Sequence, residues 1–213
     1  MYWSEAFYFA SGMDLSNIGG VVSIPLGFVS IIALALILER LVFWMATLTR
    51  QTAVRENLLS HFHTSYPEET VLNFEPRNHP LVIFYRSVIQ TKARDFESFQ
   101  RRIKIGFQRV SPPLRRYDTA LSTIVAISPL LGLLGTVLGL IRSFEGLGLE
   151  QPLENAEVVI SGISEALVST AIGLVIAMIT LAFTNLFRGF SRTQKHELQL
   201  FATSLEEQFL IQH

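Results

Sequence analysis

The sequence predicts an all-α membrane protein with three transmembrane helices and long helical extensions beyond the bilayer. Of its 213 residues, 49% are hydrophobic and 16% are charged, and the mean hydropathy is +0.38, which is too apolar for an ordinary soluble domain. Three segments contain no Asp, Glu, Lys, Arg or His, namely 15–38, 119–141 and 166–187. They are 24, 23 and 22 residues long, and about 20 apolar residues suffice to cross the hydrocarbon core.

The distribution of basic residues predicts on which side of the membrane each connecting segment lies. Segment 39–118 holds 13 Lys and Arg against 8 Asp and Glu, whereas segment 142–157 holds one Arg against four Glu. By the positive-inside rule, 39–118 and the tail 188–213 lie in the cytoplasm, and 142–157 and the N-terminal segment 1–14 lie outside. Apolar residues continue upstream of the last uncharged run, so we place the third span at 158–187.

The first two segments are expected to contact the membrane in different ways. Aromatic residues favour the bilayer interface, so segment 1–14 is predicted to form a short helix on the outer surface, with a frayed tail as the alternative. In the first transmembrane helix, 15–38, the inner half is branched and apolar and carries no titratable group, so we expect it to face lipid. The aromatic residues of the first segment are Tyr2, Trp3, Phe7, Tyr8 and Phe9.

The cytoplasmic segment 39–118 and the tail are predicted to be helical. From Leu81 onward apolar residues recur at helical spacing, and 94–109 continues in a charged, helical pattern. Ser111-Pro112-Pro113 is typical of a helix start, with serine as the cap and prolines in the first turn, so the second spanning helix is expected to begin near Pro112. The third span is expected to continue as one helix from about Val158 to about Ile211.

Both the second span (119–141) and the third carry a stripe of small residues. Small residues on one face let helix backbones approach closely, because lipid supplies no hydrophobic drive for packing. Two interpretations stay open: dense packing within one subunit, or a face that partly lines a lumen occupied by another helix, where Thr136 and Thr170 would offer hydroxyls. The stripes comprise Ser128, Gly132, Gly135, Thr136, Gly139 and Ser143, then Gly162, Ala166, Ser169, Thr170, Gly173, Ala177, Thr180 and Thr184.

Glu165 directly precedes the third uncharged run, and Ser161 and Ser164 flank it on its own side of the helix. Counting back 20 residues from Arg188 reaches Val168, so an upright helix could leave this carboxylate in the outer headgroups. A charge at the bilayer centre costs about 2.5–3.5 kcal/mol on insertion scales, so a carboxylate there must be protonated, hydrated or paired. The residues alone leave the interfacial and the functional interpretation equally open.

Several kinds of site are excluded or disfavoured. The chain has no cysteine, which excludes disulfides, thiolate metal sites and a cysteine nucleophile. Basic residues of the long segment are interspersed with acidic ones, which disfavours nucleic-acid binding. The best candidates for a metal cluster lie in a proline-broken stretch that does not direct the His-x-His rings to one side, so we expect no metal: His61, His63, Glu68, Glu69 and His79.

Two stretches of the spans resemble a known family. SPLLGLLGTVLGLIRSF (128–144) and SGISEALVSTAIGLVIA (161–177) resemble the signature stretches of the MotA/TolQ/ExbB proton-channel family, in its TolQ/ExbB branch. Span order, the large first cytoplasmic segment, the extended tail and Asn185 also fit. One position departs from the family pattern, because Ile179 stands where the family commonly has proline, and a kink in the third span is therefore in doubt.

The resemblance implies a homopentamer whose second and third spans line a central pore, with the first span outside. Two copies of an ExbD- or TolR-like single-span partner, each bearing an aspartate, would occupy that pore. Proton flow would drive work on a TonB- or TolA-like protein from the bacterial inner membrane, with the N-terminus periplasmic and the C-terminus cytoplasmic. No cofactor and no enzymatic activity are implied.

The resemblance also assigns roles to residues of the spans. Thr136 and Thr170 would face the partner aspartate and stabilise it or relay its proton. Glu165 matches the family glutamate that lines the pore and tunes protonation, assembly or hydration. The remaining positions of the helix-packing or pore face are Gly132, Gly135, Gly139, Ser169, Gly173 and Ala177. The alternative functions are a passive membrane scaffold, with Glu165 in the headgroups, and a membrane enzyme.

Overall fold

The computed structural model describes residues 20–63, 78–89, 95–145 and 155–212, and these residues form five helices. The predicted surface helix in segment 1–14 lies outside the described residues. The helices are α1 (Gly20–His63), α2 (Pro80–Ile89), α3 (Phe96–Leu114), α4 (Asp118–Glu145) and α5 (Asn155–Gln212).

The helical pattern agrees with most of the predictions from sequence. Helix α2 begins at Pro80 and α3 at Phe96, which confirms that the long connecting segment is helical where helical spacing was expected, from Leu81 onward and in 94–109, over the described residues. Helix α5 is continuous over 58 residues, which confirms the single helix expected to begin near Val158.

Within the described residues, three helical stretches are long and apolar enough to cross a membrane: Val22–Leu59, Phe96–Glu145 and Val159–Ile211. The second stretch contains the predicted span 119–141 entirely, the first contains residues 22–38 of the predicted span 15–38, and the third contains the predicted span 158–187 apart from its first residue. The chain is therefore an all-α, multi-pass membrane protein.

The chain divides into two compact units, and α1, α4 and α5 contribute residues to both. The first unit comprises residues 1–37 and 119–184, which include nearly all of the three predicted spans. The second unit comprises residues 38–118 and 185–213.

In the first unit, α1 has two apolar faces. One face is buried and includes Val22, Leu26 and Ala33. On the other face Phe28 and Ile31 are 65% and 70% exposed. A helix that is apolar all round is typical of a membrane span, and the exposed face is the one expected to contact lipid.

The second unit has an aromatic core. Trp44, Phe84 and Phe201 are fully buried there, and the rings of Phe84 and Phe201 lie 6.1 Å apart. Helices α2 and α3 meet where a Cβ atom on Gly106 would lie 2.9 Å from Cδ2 of Phe84. This unit therefore has a side-chain core of its own, which its helices share.

The prediction that the second spanning helix begins near Pro112 is wrong. Pro112 and Pro113 lie inside the last turn of α3, where the Arg115 N–H donates to the carbonyls of Ser111 and Pro112 at 3.2 Å. Tyr117 then takes a positive φ of 64°, a left-handed conformation that is unusual for a residue other than glycine. Helix α4 starts only after this joint.

Two arginines fix the joint between α3 and α4. The buried Arg40 donates through Nη1 to the Pro113 carbonyl at 3.0 Å, and Arg188 Nε lies 2.8 Å from the Asp118 carboxylate. These long-range contacts stabilise a break that the local sequence pattern does not indicate, because proline is also common in the first turn of a helix.

His79 is buried in the second unit, ahead of α2. Its Nε2 lies 3.2 Å from the Thr47 carbonyl, and the Leu81 N–H donates to its Nδ1 at 3.3 Å. This pair of contacts requires the neutral ring with its proton on Nε2. Burial lowers the pKa of His79, and the hydrogen bond to Thr47 opposes that shift.

Acidification is expected to destabilise the protein through His79. Its pKa is depressed in the folded state, so below about pH 6.5 the unfolded chain binds more protons and the free energy of unfolding falls. Between pH 7.5 and pH 5.5, the unfolding temperature in detergent should drop further in the wild type than in His79→Gln. The matched control is His196→Gln, at an exposed position, which should keep the wild-type pH dependence. Equal pH dependence in wild type and His79→Gln would contradict this role.

Candidate functional site

Helices α4 and α5 pack against each other along their small-residue stripes, and we call this contact the α4–α5 seam. In α4 the buried residues are spaced by three or four positions, so they form one face of the helix. The buried α4 residues are Leu121, Ile124, Ser128, Gly132, Gly135, Gly139 and Ser143, and those of α5 include Gly162, Ala166, Ser169, Gly173, Ala177, Thr180 and Thr184.

The seam brings the two backbones into direct contact. A Cβ atom on Gly173 would lie 2.5 Å from the Ser128 carbonyl oxygen, and one on Gly132 would lie 3.0 Å from Cα of Thr170. A Cβ atom on Gly139 would lie 2.7 Å from that of Ala166. Glycine is therefore required at these positions by the spacing of the helices, which is the role that small residues have in membrane packing.

Hydroxyl groups cross the seam and donate to backbone carbonyls. Thr170 Oγ1 donates to the Gly132 carbonyl at 3.0 Å. The Oγ atoms of Ser169 and Ser143 donate at 2.8 and 3.0 Å to carbonyls of their own helices, and they also lie 3.3 Å from the Gly132 and Val159 carbonyls across the seam. Such interhelical bonds supplement the close packing in the membrane.

Thr136 and Thr170 lie at the edge of the seam and are partly exposed. Thr136 Oγ1 donates to the Leu133 carbonyl at 2.6 Å, while Thr170 donates to Gly132. A hydroxyl has one donor and two acceptor lone pairs. Both threonine hydroxyls therefore donate to backbone carbonyls of α4, and both can still accept a hydrogen bond.

Glu165 forms an ion pair that the sequence interpretation did not include. Arg142 Nη1 lies 3.2 Å from Oε1 of Glu165, and the two side chains are 44% and 20% exposed. Arg142 is in the last turn of α4. The sequence did contain a signal for this pair, because Arg142 directly follows the second uncharged run and Glu165 directly precedes the third.

The seam separates these side chains into two groups. Successive helix residues are rotated by about 100°, so Thr136 and Arg142 are about 120° apart on α4, and Thr170 and Glu165 about 140° apart on α5. Thr170 bonds to Gly132, which lies only about 40° from Thr136. Thr136 and Thr170 therefore share one side of the seam, the hydroxyl flank, and Arg142 and Glu165 share the other, the ion-pair flank.

Helix α1 approaches the seam from the ion-pair flank. A Cβ atom on Gly135 would lie 3.6 Å from Cβ of Val22, and Gly135 is only about 20° from Arg142 around α4. This contact places Val22 of α1 on the side of the seam that Arg142 occupies.

The predicted site residues thus fall into three places. Gly132, Gly135 and Gly139 of α4 lie inside the seam, as do Ser169, Gly173 and Ala177 of α5. The two threonines lie together on the hydroxyl flank, and Glu165 does not lie with them. Of the metal candidates, His79 binds backbone groups with both ring nitrogens, and the other four side chains lie outside the described set.

Comparison with known proteins gives the same family as the motifs. A model of the MotA/TolQ/ExbB proton channel family matches residues 77–200, which include α2 and α4 entirely and most of α5. The chain belongs to the MotA/TolQ/ExbB family. A relative from Synechocystis sp., named as the biopolymer transport protein ExbB-like 3, is 38% identical over 171 residues, or 80% of this chain and 81% of the relative.

Further relatives belong to both parts of the TolQ/ExbB branch. The biopolymer transport protein ExbB of Salmonella typhimurium is 40% identical over 99 residues, covering 45% of this chain and 40% of that protein. The Tol-Pal system protein TolQ of Pseudomonas aeruginosa is 39% identical over 82 residues, covering 38% and 35%. The chain is thus similar to ExbB and TolQ proteins at nearly equal identity over these shorter stretches.

Enlarging a seam glycine is expected to destabilise the family member described here. Gly173→Ala would force a Cβ atom against the α4 backbone and should lower the free energy of unfolding by about 1–3 kcal/mol, measured by denaturation in detergent. Gly189→Ala is the matched control on the same helix, because no atom lies within 4 Å of its Cβ position. The control should be neutral or slightly stabilising. Equal losses in both variants would contradict the close approach.

Proposed function

We propose that this protein is the channel subunit of a proton-driven motor, working with an ExbD- or TolR-like partner that has one membrane-spanning helix. The observation that carries the proposal is the hydroxyl flank, where Thr136 and Thr170 lie partly exposed beside a seam that is otherwise closed. Family membership supports the same activity, because the family is one of proton channels.

In the proposed assembly, five copies surround a pore that two partner helices occupy. The hydroxyl flanks of α4 and α5 line this pore, and α1 lies outside. The packing of the subunit supports this arrangement, because α1 approaches from the opposite flank and presents an apolar exposed face that suits lipid. The spans also expose further apolar residues, such as Leu133 and Leu167 at 57% and 65%, for contact with neighbouring copies or the partner.

The hydroxyl flank suits a carboxyl group that gains and loses a proton. A protonated aspartate of the partner would donate its O–H to a threonine oxygen, since both hydroxyl donors already serve α4 carbonyls. An ionised aspartate needs a donor instead, so a threonine hydroxyl would rotate away from its carbonyl. A fixed lysine or arginine would hold the carboxylate ionised, and the uncharged runs of both spans contain neither.

The membrane potential can supply the energy of this cycle. One elementary charge moving through 100 mV releases about 2.3 kcal/mol, which is comparable with the insertion cost of a charged side chain at the bilayer centre. We propose that the cycle turns one component within the other and that the work reaches a TonB- or TolA-like protein. The subunit would sit in a bacterial inner membrane with its N-terminus periplasmic and its C-terminus cytoplasmic, as the charge distribution favours.

A passive scaffold is the second candidate function, and one observation favours it. Most of the small-residue stripe is used in packing α4 against α5, so the stripe alone does not require a pore. The two candidates differ in what the hydroxyls do, because a scaffold needs the seam and not the hydroxyl flank.

Removing the flank hydroxyls is expected to abolish proton movement without dissociating the assembly. In vesicles containing the chain and its co-expressed partner, Thr136→Val/Thr170→Val should lower proton uptake at least tenfold, as followed with an internal pH-sensitive dye. Thr136→Ser/Thr170→Ser keeps both hydroxyls and is the matched control, with uptake near that of the wild type. Oligomer size by native mass spectrometry should be unchanged in both. Wild-type uptake in the valine variant would favour the scaffold.

A further inference from the structure

The ion pair between Arg142 and Glu165 lies beside a closely packed part of the seam. Ser143, next to Arg142, has its Oγ 3.3 Å from the Val159 carbonyl across the seam, and a Cβ atom on Gly139 would lie 2.7 Å from that of Ala166, next to Glu165. Both members of the pair therefore have a neighbour packed in the seam, and their charged atoms lie 3.2 Å apart.

The structure describes few other charges in the unit that holds this pair. Among the side chains described in the first unit, the charged ones are Arg142, Glu145 and Glu165, and the α1 residues 20–37 include no titratable group. Glu145 is three residues from Arg142 on the same helix and is exposed. Arg142 is therefore the cation among these described side chains that can balance Glu165.

We infer that Arg142 is a positioning residue that holds the Glu165 side chain in an ion pair on the ion-pair flank, away from the hydroxyl flank. Hydrogen bonds between charged groups are stronger than those between neutral ones, and water at the exposed arginine weakens the pair without cancelling it. Glu165 then does not carry protons along the pore. The statement about proton transport rests on the proposed function, whereas the ion pair itself is a property of the single subunit.

A double substitution distinguishes a Glu165 that is only paired with Arg142 from a Glu165 that carries protons. Removing one member of a buried or partly buried pair leaves an unbalanced charge, whereas removing both can be nearly neutral. Arg142→Gln should therefore lower proton uptake in the vesicle assay at least fivefold, and Arg142→Gln/Glu165→Gln should restore uptake to within about twofold of wild type. If Glu165 carries protons, the double variant stays inactive, and that result would overturn the inference.

The pairing of Glu165 with Arg142 can be tested without the partner. Dicyclohexylcarbodiimide reacts with carboxyl groups in apolar surroundings, and the adduct on the peptide containing Glu165 can be measured by mass spectrometry. With the purified subunit in detergent, Arg142→Gln should raise the labelling rate at pH 7 about tenfold, because it removes the group that pairs with the carboxylate. Arg142→Lys keeps a cation at this position and should keep the wild-type rate.

Glu145→Gln is the matched control, because it removes a neighbouring charge on α4 without removing the cation. It should leave labelling of Glu165 unchanged. Rapid labelling of Glu165 at pH 7 in the wild type, with no effect of Arg142→Gln, would overturn the inference. Labelling that follows the prediction, in a protein that shows no proton uptake with its partner, would instead reject the proposed function and leave the ion pair in place.

Discussion

The direct backbone contact between α4 and α5 is the constraint on which the rest of the structure depends. Lipid gives no hydrophobic reward for packing one apolar helix against another, so the two helices must gain contact energy from close approach. Gly132, Gly139 and Gly173 permit that approach, because a Cβ atom at each would meet the other helix at 3.0 Å or less. The same contact leaves the hydroxyl donors of Ser169 and Thr170 within reach of the Gly132 carbonyl.

The seam also gives one subunit two chemically different sides. On one side are Thr136 and Thr170, which can exchange hydrogen bonds with a titrating group and have no charge of their own. On the other side are Arg142 and Glu165, which balance each other close to the approach of α1. The neutral hydroxyl flank is thus separate from the ion pair. In the proposed motor, a carboxyl group from another helix could therefore change its protonation state beside the hydroxyl flank without competing for Arg142.

Much of the fold follows from sequence, and the exceptions have physical causes. Uncharged runs and helical spacing predicted the three spans, α2 and the uninterrupted α5, since length and periodicity are local properties. The helix break at Tyr117 could not be predicted, because it is fixed by Arg40 and Arg188, which are distant in sequence. The small-residue stripe predicted a contact, whereas the flank on which each polar residue lies depends on which face each helix turns to its neighbour. For this reason the pairing of Glu165 with Arg142 could not be predicted from the sequence pattern alone.

The most direct test of the account asks what covers the hydroxyl flank in the membrane. The chain has no cysteine, so a single Thr136→Cys substitution can be labelled with a charged, membrane-impermeant thiol reagent, with Phe28→Cys on the exposed face of α1 as the lipid-facing control. The account predicts that position 136 reacts in the subunit expressed alone, is protected when the single-span partner is co-expressed, and that position 28 stays unreactive in both cases. A position 136 that remains unreactive without the partner, as position 28 does, would contradict the account.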